Sequence, residues 1–282
     1  MMSKLRVLLR SAEALKHPVT EIAKRPGPFT LRVLKGFKAN QGLLLAGAVA
    51  YYTLLSLIPL LILMLIVLSH VVDQAQLLST LSEYLDFVAP GLLVASGMQI
   101  AANESMWPVL GAVKWVRNFY AAVATSISPG ELAVGYVLWT VVRAVMSASA
   151  FLIVAALLGA VPSAWGVLAI PASALCAAAF SAPLVAYSVG LESDVSFPVI
   201  MRVGVLPLFL FSGTFFPISQ LPGWLRPFAA VSPLWHGVEL ARAATTGTLR
   251  LGPDIVHVAV LVACLVAGLL WSRRAFAKRL TA

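Results

Sequence analysis

The stretch FLFSGTFFPISQLPGWL, residues 209–225, starts as an apolar helix and then loses the features of one. Small and polar residues (SGT, 212–214) follow the aromatic and aliphatic run, and Pro217 and Pro222 come after them. A proline in a helix interior costs about 3 kcal/mol, so the pattern predicts that the helix ends and the chain turns. Irregular backbone at membrane depth is tolerated only where protein or water satisfies it. We therefore expect the turn to lie at or near the edge of a bilayer.

Composition predicts the fold class. The chain of 282 residues is 60% hydrophobic and only 11% charged, whereas soluble domains carry about 25% charged residues. A membrane-spanning helix needs roughly 20 apolar residues. Apolar runs of this length occupy residues 43–71, 87–110, 132–161, 165–190, 199–219 and 255–272. We predict an all-α integral membrane protein of about six transmembrane helices, located in the inner or plasma membrane.

The distribution of basic residues predicts the topology. Basic residues cluster before the first apolar run and after the last: Lys4, Arg6, Arg10, Lys16, Lys24, Arg25, Arg32, Lys35 and Lys38, then Arg273, Arg274, Lys278 and Arg279. The positive-inside bias therefore places both termini in the cytoplasm. The loop 73–86 has no Lys or Arg, which suits an outer loop, although Arg226, Arg242 and Arg250 also fall outside and weaken the case slightly. With this placement, the net charge of +9 indicates lipid headgroups and not nucleic acid.

The chain divides into three segments by composition. Residues 1–42 form a basic cytoplasmic segment, with an amphipathic pattern over 5–15, and are not a secretory signal because the following apolar run is too long. Residues 43–86 hold the first transmembrane helix and an outer loop. Residues 87–282 hold the remaining spans.

Motifs of common enzymes are absent. The sequence has no GxxxxGK[ST], GxSxG, HExxH or CxxC, so we predict no catalytic residues, no bound cofactor and no metal. His236 and Glu239 allow a metal or acid–base interpretation, but two residues are too few to make a metal site. A helix cap and a hydrogen-bonded network is the favoured alternative.

A short amphipathic helix is predicted between the second and third spans. In GAVKWVRNFYAAVATSISPGEL, residues 111–132, Trp115, Phe119 and Val123 recur at helical spacing. The helix would lie on the cytoplasmic face, either as a membrane-surface loop or as a docking element for a soluble partner. The candidate docking residues are Lys114, Trp115, Arg117, Asn118 and Phe119.

Polar residues within the predicted spans form a second group. Asn103 and Glu104 lie in the second span or at its inner end, and Arg143 lies inside the third. Charge at the bilayer centre costs about 2.5–3.5 kcal/mol, so these side chains should face the bundle interior or a partner. Pairing of Glu104 with Arg143 is one option. Small residues over 174–182 predict close helix contacts.

The opening stretch continues as a membrane-edge segment. Residues 215–247 are too polar, and too often interrupted by proline, to cross the membrane as a helix. They are also too hydrophobic to form a free loop in water. Short helices that dip into the outer leaflet, anchored by Trp224 and Trp235, fit both facts. The residues assigned to this re-entrant gate are Gly213, Phe215, Phe216, Pro217, Pro222, Trp224, Trp235, His236 and Glu239.

These motifs closely resemble the permease subunits of type-2 ABC exporters. The similarity covers about residues 87–282, and the motifs that carry it are residues 87–136 and FLFSGTFFPISQLPGWLRPFAAVSPLWHGVEL (209–240). It is strongest to the nodulation lipooligosaccharide and antibiotic-efflux branches. The resemblance implies a permease that dimerises, with itself or a related chain, and docks on a separate ATPase subunit that uses the ATP. It implies export of a lipid-linked, oligosaccharide or amphipathic drug-like substrate. It also implies a coupling segment over residues 114–128 and an outer re-entrant segment over residues 215–242.

Residues 29–85 resemble a different family. AGAVAYYTLLSLIPL (46–60) is similar to the start of the YihY/BrkB inner-membrane proteins, so the chain looks composite. The alternative hypothesis is therefore an ATPase-independent YihY/BrkB-like membrane protein or an inactive fusion product. An adjacent ATPase gene would favour the exporter.

Overall fold

The computed structural model describes residues 74–281, so the predicted segment 1–42 and the first predicted span, 43–71, lie outside the described residues. The chain divides into two units between Leu77 and Leu78, and the second unit is the one described here. Its regular secondary structure is helical throughout. The helices are α1 (Gln74–Lys114), α2 (Asn118–Val123), α3 (Pro129–Leu157), α4 (Ala169–Val189), α5 (Phe197–Phe211), α6 (Arg226–Val231), α7 (Pro233–Thr246) and α8 (Leu251–Leu280).

Four helices of the described part are long and apolar enough to cross a membrane: Ser82–Lys114, Pro129–Leu157, Ala164–Val189 and Leu251–Leu280. They match the second, third, fourth and sixth predicted runs. The predicted all-α membrane class is confirmed, whereas the six-span count and the orientation stay predictions. The fifth run differs, since α5 is a shorter apolar helix, Phe197–Phe211, with a π-helical turn over Ile200–Val205.

Local signals set the helix boundaries. Ser128 caps α3, because its Oγ accepts a hydrogen bond from the Glu131 amide at 3.2 Å while the Glu131 carboxylate accepts one from the Ser128 amide at 2.8 Å. Ser232 caps α7 through the amide of Leu234, at 3.2 Å. Gly247, with φ +70°, ends α7 in the left-handed conformation that favours glycine.

Small residues bring α4 and α8 into close contact. A Cβ placed on Gly268 of α8 would lie 2.6 Å from Pro183 Cδ and 2.8 Å from Ala182 Cβ of α4. Ser272 Oγ donates to the Ala182 carbonyl at 2.5 Å. The close packing predicted for the small residues of 174–182 is therefore present, and it makes α4 the central helix, in contact with both α3 and α8.

The bundle has two ends that matter for function. At one, which we name the gate end, the start of α1 packs near α7 in a core that includes Leu93, Leu234 and Val238. At the other, the coupling end, α2 packs on α3 and α8 in a core that includes Phe119 and Phe276. The helix α1 runs from one end to the other.

Candidate functional site

The gate end is organised around Arg242 of α7. Its Nη2 donates to the Gly213 carbonyl at 2.7 Å, and its Nη1 lies 2.7 Å from Glu239 Oε1. The guanidinium carbon also lies 3.8 Å from the centre of the Phe87 ring, and the group reaches the Phe87 carbonyl at 3.4 Å. One side chain thus joins α1, α7 and the turn that follows α5. We call residues 212–231 the gate segment.

The gate segment begins at a sharp turn. Gly213 has φ +79°, and a Cβ there would lie 3.2 Å from Trp235 Cδ1. A Cβ on Gly91 of α1 would lie 2.7 Å from the Thr214 carbonyl, so the two backbones nearly touch. Ser212 Oγ donates to Ser232 Oγ at 2.9 Å, which ties the two ends of the gate segment together. Glycine is needed at 213 for its conformation and at 91 for the close approach.

This turn corrects two predictions. The fifth apolar run was expected to continue as helix to residue 219 and to be broken by Pro217 and Pro222, but α5 ends at Phe211. The break is set by Gly213 and its contacts, and both prolines lie beyond it. Pro217 instead precedes a 3-10 turn, Ile218–Gln220.

The two predicted tryptophan anchors have different environments. Trp224 is 70% exposed, as an interfacial anchor would be, together with the neighbouring Phe228 and Val231. Trp235 is partly buried, and its ring packs edge-on against His236 and His257, with centroids 4.9 and 5.0 Å away. Trp235 therefore packs against α8 as well as lying on α7, and its role as an anchor stays a prediction.

His236 and Glu239 contact different partners. His236 Nδ1 lies 2.7 Å from His257 Nδ1 of α8, so one ring must donate there and the other accept. Burial, and secondarily the nearby His257, lower the pKa of His236 below its ordinary value. Glu239 pairs with Arg242. The favoured interpretation, a hydrogen-bonded network, describes this arrangement.

The other predicted gate residues pack on this turn. Phe215 contacts the ring of Phe209 edge-on, with centroids 5.1 Å apart. Phe216 is partly buried and Pro222 is exposed.

The intramembrane polar residues form one ion pair. Arg143 Nη1 of α3 lies 2.8 Å from Glu104 Oε1 of α1, which is the pairing that the sequence left open. Glu104 is 18% exposed and Arg143 is 47% exposed, so one face of this arginine points away from the described bundle. Asn103 is also exposed, and its amide donates to the Gln99 carbonyl one turn back. Pairing lowers the cost of holding these charges inside an apolar span.

At the coupling end, the short helix predicted within residues 111–132 is present but covers fewer residues than the spacing predicts. The long helix α1 ends at Lys114, and Arg117, at φ 56°, interrupts the chain before the six-residue helix α2. Phe119 is buried, with its ring 5.5 Å from Phe276 and 5.6 Å from Tyr136. Trp115 and its neighbour Val116, by contrast, are 63% and 71% exposed.

This geometry separates residues that the sequence grouped together. Because the helix is interrupted, Trp115 and Phe119 do not share a face. Phe119 anchors α2 to the permease itself, while Trp115 projects beside the exposed residues Lys114, Arg117 and Asn118. The Lys114 ammonium donates to the Glu192 carbonyl, which joins the coupling segment (residues 114–128) to the α4–α5 loop.

Sequence reasoning missed three residues of the gate end. Arg242 was noted only as an outer charge, and Phe87 and His257 were not considered. The spacing of Glu239 and Arg242, three apart on one helix, was the available signal for an ion pair. Nothing local indicates that the guanidinium reaches Gly213 and Phe87.

Comparison with known proteins agrees with this architecture. The ABC-2 type transporter family model matches residues 40–245, most of the chain. The chain belongs to the ABC-2 type transporter family. It is 29% identical to Nodulation protein J of Bradyrhizobium diazoefficiens over 202 residues, 71% of this chain and 76% of the relative. It is 27% identical to Nodulation protein J of Rhizobium leguminosarum bv. viciae over 197 residues, 70% of this chain and 76% of the relative.

The family membership establishes the general role. The protein is a multi-pass inner-membrane protein and the transmembrane permease of an ABC exporter, and it is a transport component. The match begins at residue 40 and so includes most of the stretch that resembles YihY/BrkB proteins. The comparisons lend that second resemblance no support.

Proposed function

We propose that this permease moves an amphipathic substrate, lipid-linked, oligosaccharide or drug-like, out of the cytoplasm and takes its energy from a separate ATPase subunit. The coupling segment receives the ATPase, and the gate segment closes the outer end of the substrate path. The protein acts as a dimer with itself or with a related permease. ATP binds to the partner subunit.

One observation carries the coupling half of this proposal. Trp115 and Val116 are largely exposed at the coupling end, and they are held there by α2, whose Phe119 is buried. Basic and polar residues surround them, so this is not a surface shaped only for lipid. Buried aromatic anchors commonly dominate binding energy at protein interfaces. A rigidly presented tryptophan on a polar rim fits a cleft on a soluble protein.

The gate half rests on the geometry around Arg242. The gate segment leaves α5, turns at Gly213 and returns to α7, with its start held against α1. Its outward residues Trp224, Phe228 and Val231 are apolar, and each is at least 70% exposed. These exposed apolar side chains lie in the same segment as the polar contacts of Arg242, which suits a substrate with both apolar and polar parts.

The test replaces the exposed pair and leaves the anchor intact. The Trp115→Ala/Val116→Ala variant should lose co-purification with the cognate ATPase by about thirtyfold, since a hot-spot residue contributes about 2 kcal/mol or more. The matched control is Trp139→Ala/Val142→Ala, which removes the same side chains from α3, where they are 53% and 49% exposed.

Export should fall with the ATPase association in the first variant and persist in the control. The readout is the amount of a lipid-linked oligosaccharide or an amphipathic drug outside cells that also express the ATPase. Full recovery of the complex with the Trp115→Ala/Val116→Ala variant would contradict the docking role. Export without any ATPase would contradict the energy source.

A further inference from the structure

A crevice lies at the coupling end, apart from the exposed side chain of Trp115. It has a volume of about 820 Å³ and lies between the last turns of α8 and the end of α4. It is lined by Tyr120, Ala186, Tyr187, Gly190, Leu191, Trp271, Arg274, Ala275, Lys278 and Arg279.

The charge of this crevice is strongly positive. Three of its lining residues are cationic: Arg274, Lys278 and Arg279. The carboxylate of Glu192 lies 2.6 Å from Arg279 Nη2 and is the ion-pair partner of that residue. Within residues 74–281, neither Arg274 nor Lys278 makes an ion pair. The Arg279 Nε is buried and has no hydrogen-bond partner within the same residues.

The crevice also has an apolar wall on the membrane side. Trp271, Arg274 and Lys278 are spaced three and four apart, so they follow one face of α8 from the span toward its end. Trp271 is 48% exposed, and Ala186 and Leu191 line the opposite wall. Tryptophan concentrates at membrane interfaces, with basic residues just beyond it. The face of α8 that lines the crevice therefore changes from apolar to cationic over about two helical turns.

We propose that this crevice binds the phosphate headgroup of an anionic phospholipid. Arg274 and Lys278 hold the phosphate, and the first part of an acyl chain lies along Trp271 and Leu191. Basic pockets at the ends of transmembrane helices are suited to anionic headgroups. A lipid is favoured over the ATPase as occupant because the wall is built from the two membrane helices α4 and α8. The proposal concerns a ligand that the proposed export function does not require.

The sequence provides a closely matched control. Arg273 and Arg274 are adjacent, yet only Arg274 lines the crevice. The Arg273 side chain lies against α3 instead, with its Nε 3.0 Å from where a Cβ on Gly130 would be. R273Q and R274Q thus remove the same charge from the same turn and differ in whether they touch the crevice.

The experiment measures lipid binding to the full-length purified permease by native mass spectrometry. Phosphatidylglycerol is compared with phosphatidylcholine, and glycerol 3-phosphate serves as a free phosphate without acyl chains. We expect saturable binding with preference for phosphatidylglycerol, weakened about fivefold by R274Q and about twenty-fivefold by R274Q/K278Q, given the usual contribution of a basic residue near anionic lipid. R273Q should bind as the unmodified protein does. Circular dichroism checks that each variant keeps its helix content.

Four outcomes would overturn the proposal. Equal binding of the two lipids, or equal weakening by R273Q and R274Q, would show a nonspecific charge effect. Glycerol 3-phosphate binding as tight as phosphatidylglycerol would assign the crevice to a free anion. Loss of ATPase association in R274Q/K278Q with undiminished phosphatidylglycerol binding would assign it to the ATPase.

Discussion

Arg242 is expected to hold the gate segment closed, and its removal is the most informative perturbation. Arg242→Ala deletes the hydrogen bond to the Gly213 carbonyl, the ion pair with Glu239 and the contact over the Phe87 ring. A hydrogen bond to a charged group contributes about 1.5–3 kcal/mol, and a cation–π contact about 0.5–2 kcal/mol. The Glu239 pair contributes less than about 1 kcal/mol because Glu239 is 36% exposed. These contributions overlap, so we expect a loss of about 3 kcal/mol.

Two further variants define what the guanidinium does. Arg242→Lys keeps the charge but lacks the fork that reaches two carbonyls and a carboxylate, so we expect about half of that loss. Arg226→Ala is the control, because Arg226 lies in the same segment and, among residues 74–281, donates only to the nearby carbonyls of Leu221 and Ser219, at 2.9 and 2.6 Å. Because Arg226 is exposed, water replaces its hydrogen bonds when the side chain is removed, and the change should cost less than about 1 kcal/mol.

The assay is limited proteolysis of the gate segment in purified full-length protein. A loss of 3 kcal/mol increases the open population about a hundredfold, and cleavage follows that population when opening and closing are fast. Arg242→Ala should therefore be cut about a hundred times faster between residues 213 and 231, while cleavage elsewhere is unchanged. If Arg242→Ala and Arg226→Ala are cut at the same rate, the contacts of Arg242 do not hold the gate segment closed.

Two other predictions concern the same end of the bundle. Gly213→Ala should lower the free energy of unfolding by at least about 1 kcal/mol, because alanine is strained at φ +79° and its Cβ would crowd Trp235. The measurement is thermal unfolding in detergent, and an unchanged midpoint would contradict this expectation. Burial lowers the pKa of His236 in the folded state, so unfolding takes up a proton below the ordinary value of about 6.5. The stability that His236 contributes is complete above pH 6.5 and is lost as the pH falls. The thermal-unfolding midpoint of His236→Asn should therefore drop less between pH 7.5 and 5.5 than that of the unmodified protein. Parallel pH profiles of the two proteins would refute this role of His236.

The sequence predicts the four long spans of the described residues well, because hydropathy and length are sufficient for them. It places the end of α5 wrongly for the same reason, since Phe215 and Phe216 keep the apolar run going after the helix has stopped. The deciding feature is the backbone conformation of Gly213, which hydropathy does not encode. Prolines were the visible helix breakers, and they proved to lie beyond the break.

The coupling segment shows a second limit of periodicity. Trp115 and Phe119 are four apart, which predicts a shared face only if the helix is continuous. Arg117 adopts a left-handed conformation that non-glycine residues rarely take, and it turns one side chain inward and the other outward. The long-range contacts of Arg242 were equally invisible, since its partners Phe87 and Gly213 are distant in sequence.

The two ends of the permease are connected by α1, and this connection can be tested with the variants already described. Phe87 contacts Arg242, and Lys114 begins the coupling segment, about 40 Å away along a helix at 1.5 Å per residue. If the ends are independent, Arg242→Ala opens the gate segment to protease and keeps ATPase association. Trp115→Ala/Val116→Ala then leaves the gate segment resistant to protease and loses ATPase association. If ATPase binding alters the cleavage rate at the gate in the unmodified protein, the two ends share a coupling free energy. Because linkage is reciprocal, the open-gate state then differs from the closed-gate state in ATPase affinity by the same factor by which the ATPase changes gate opening. Arg242→Ala, which raises the open population, then changes the measured ATPase affinity in the same direction and by at most that factor.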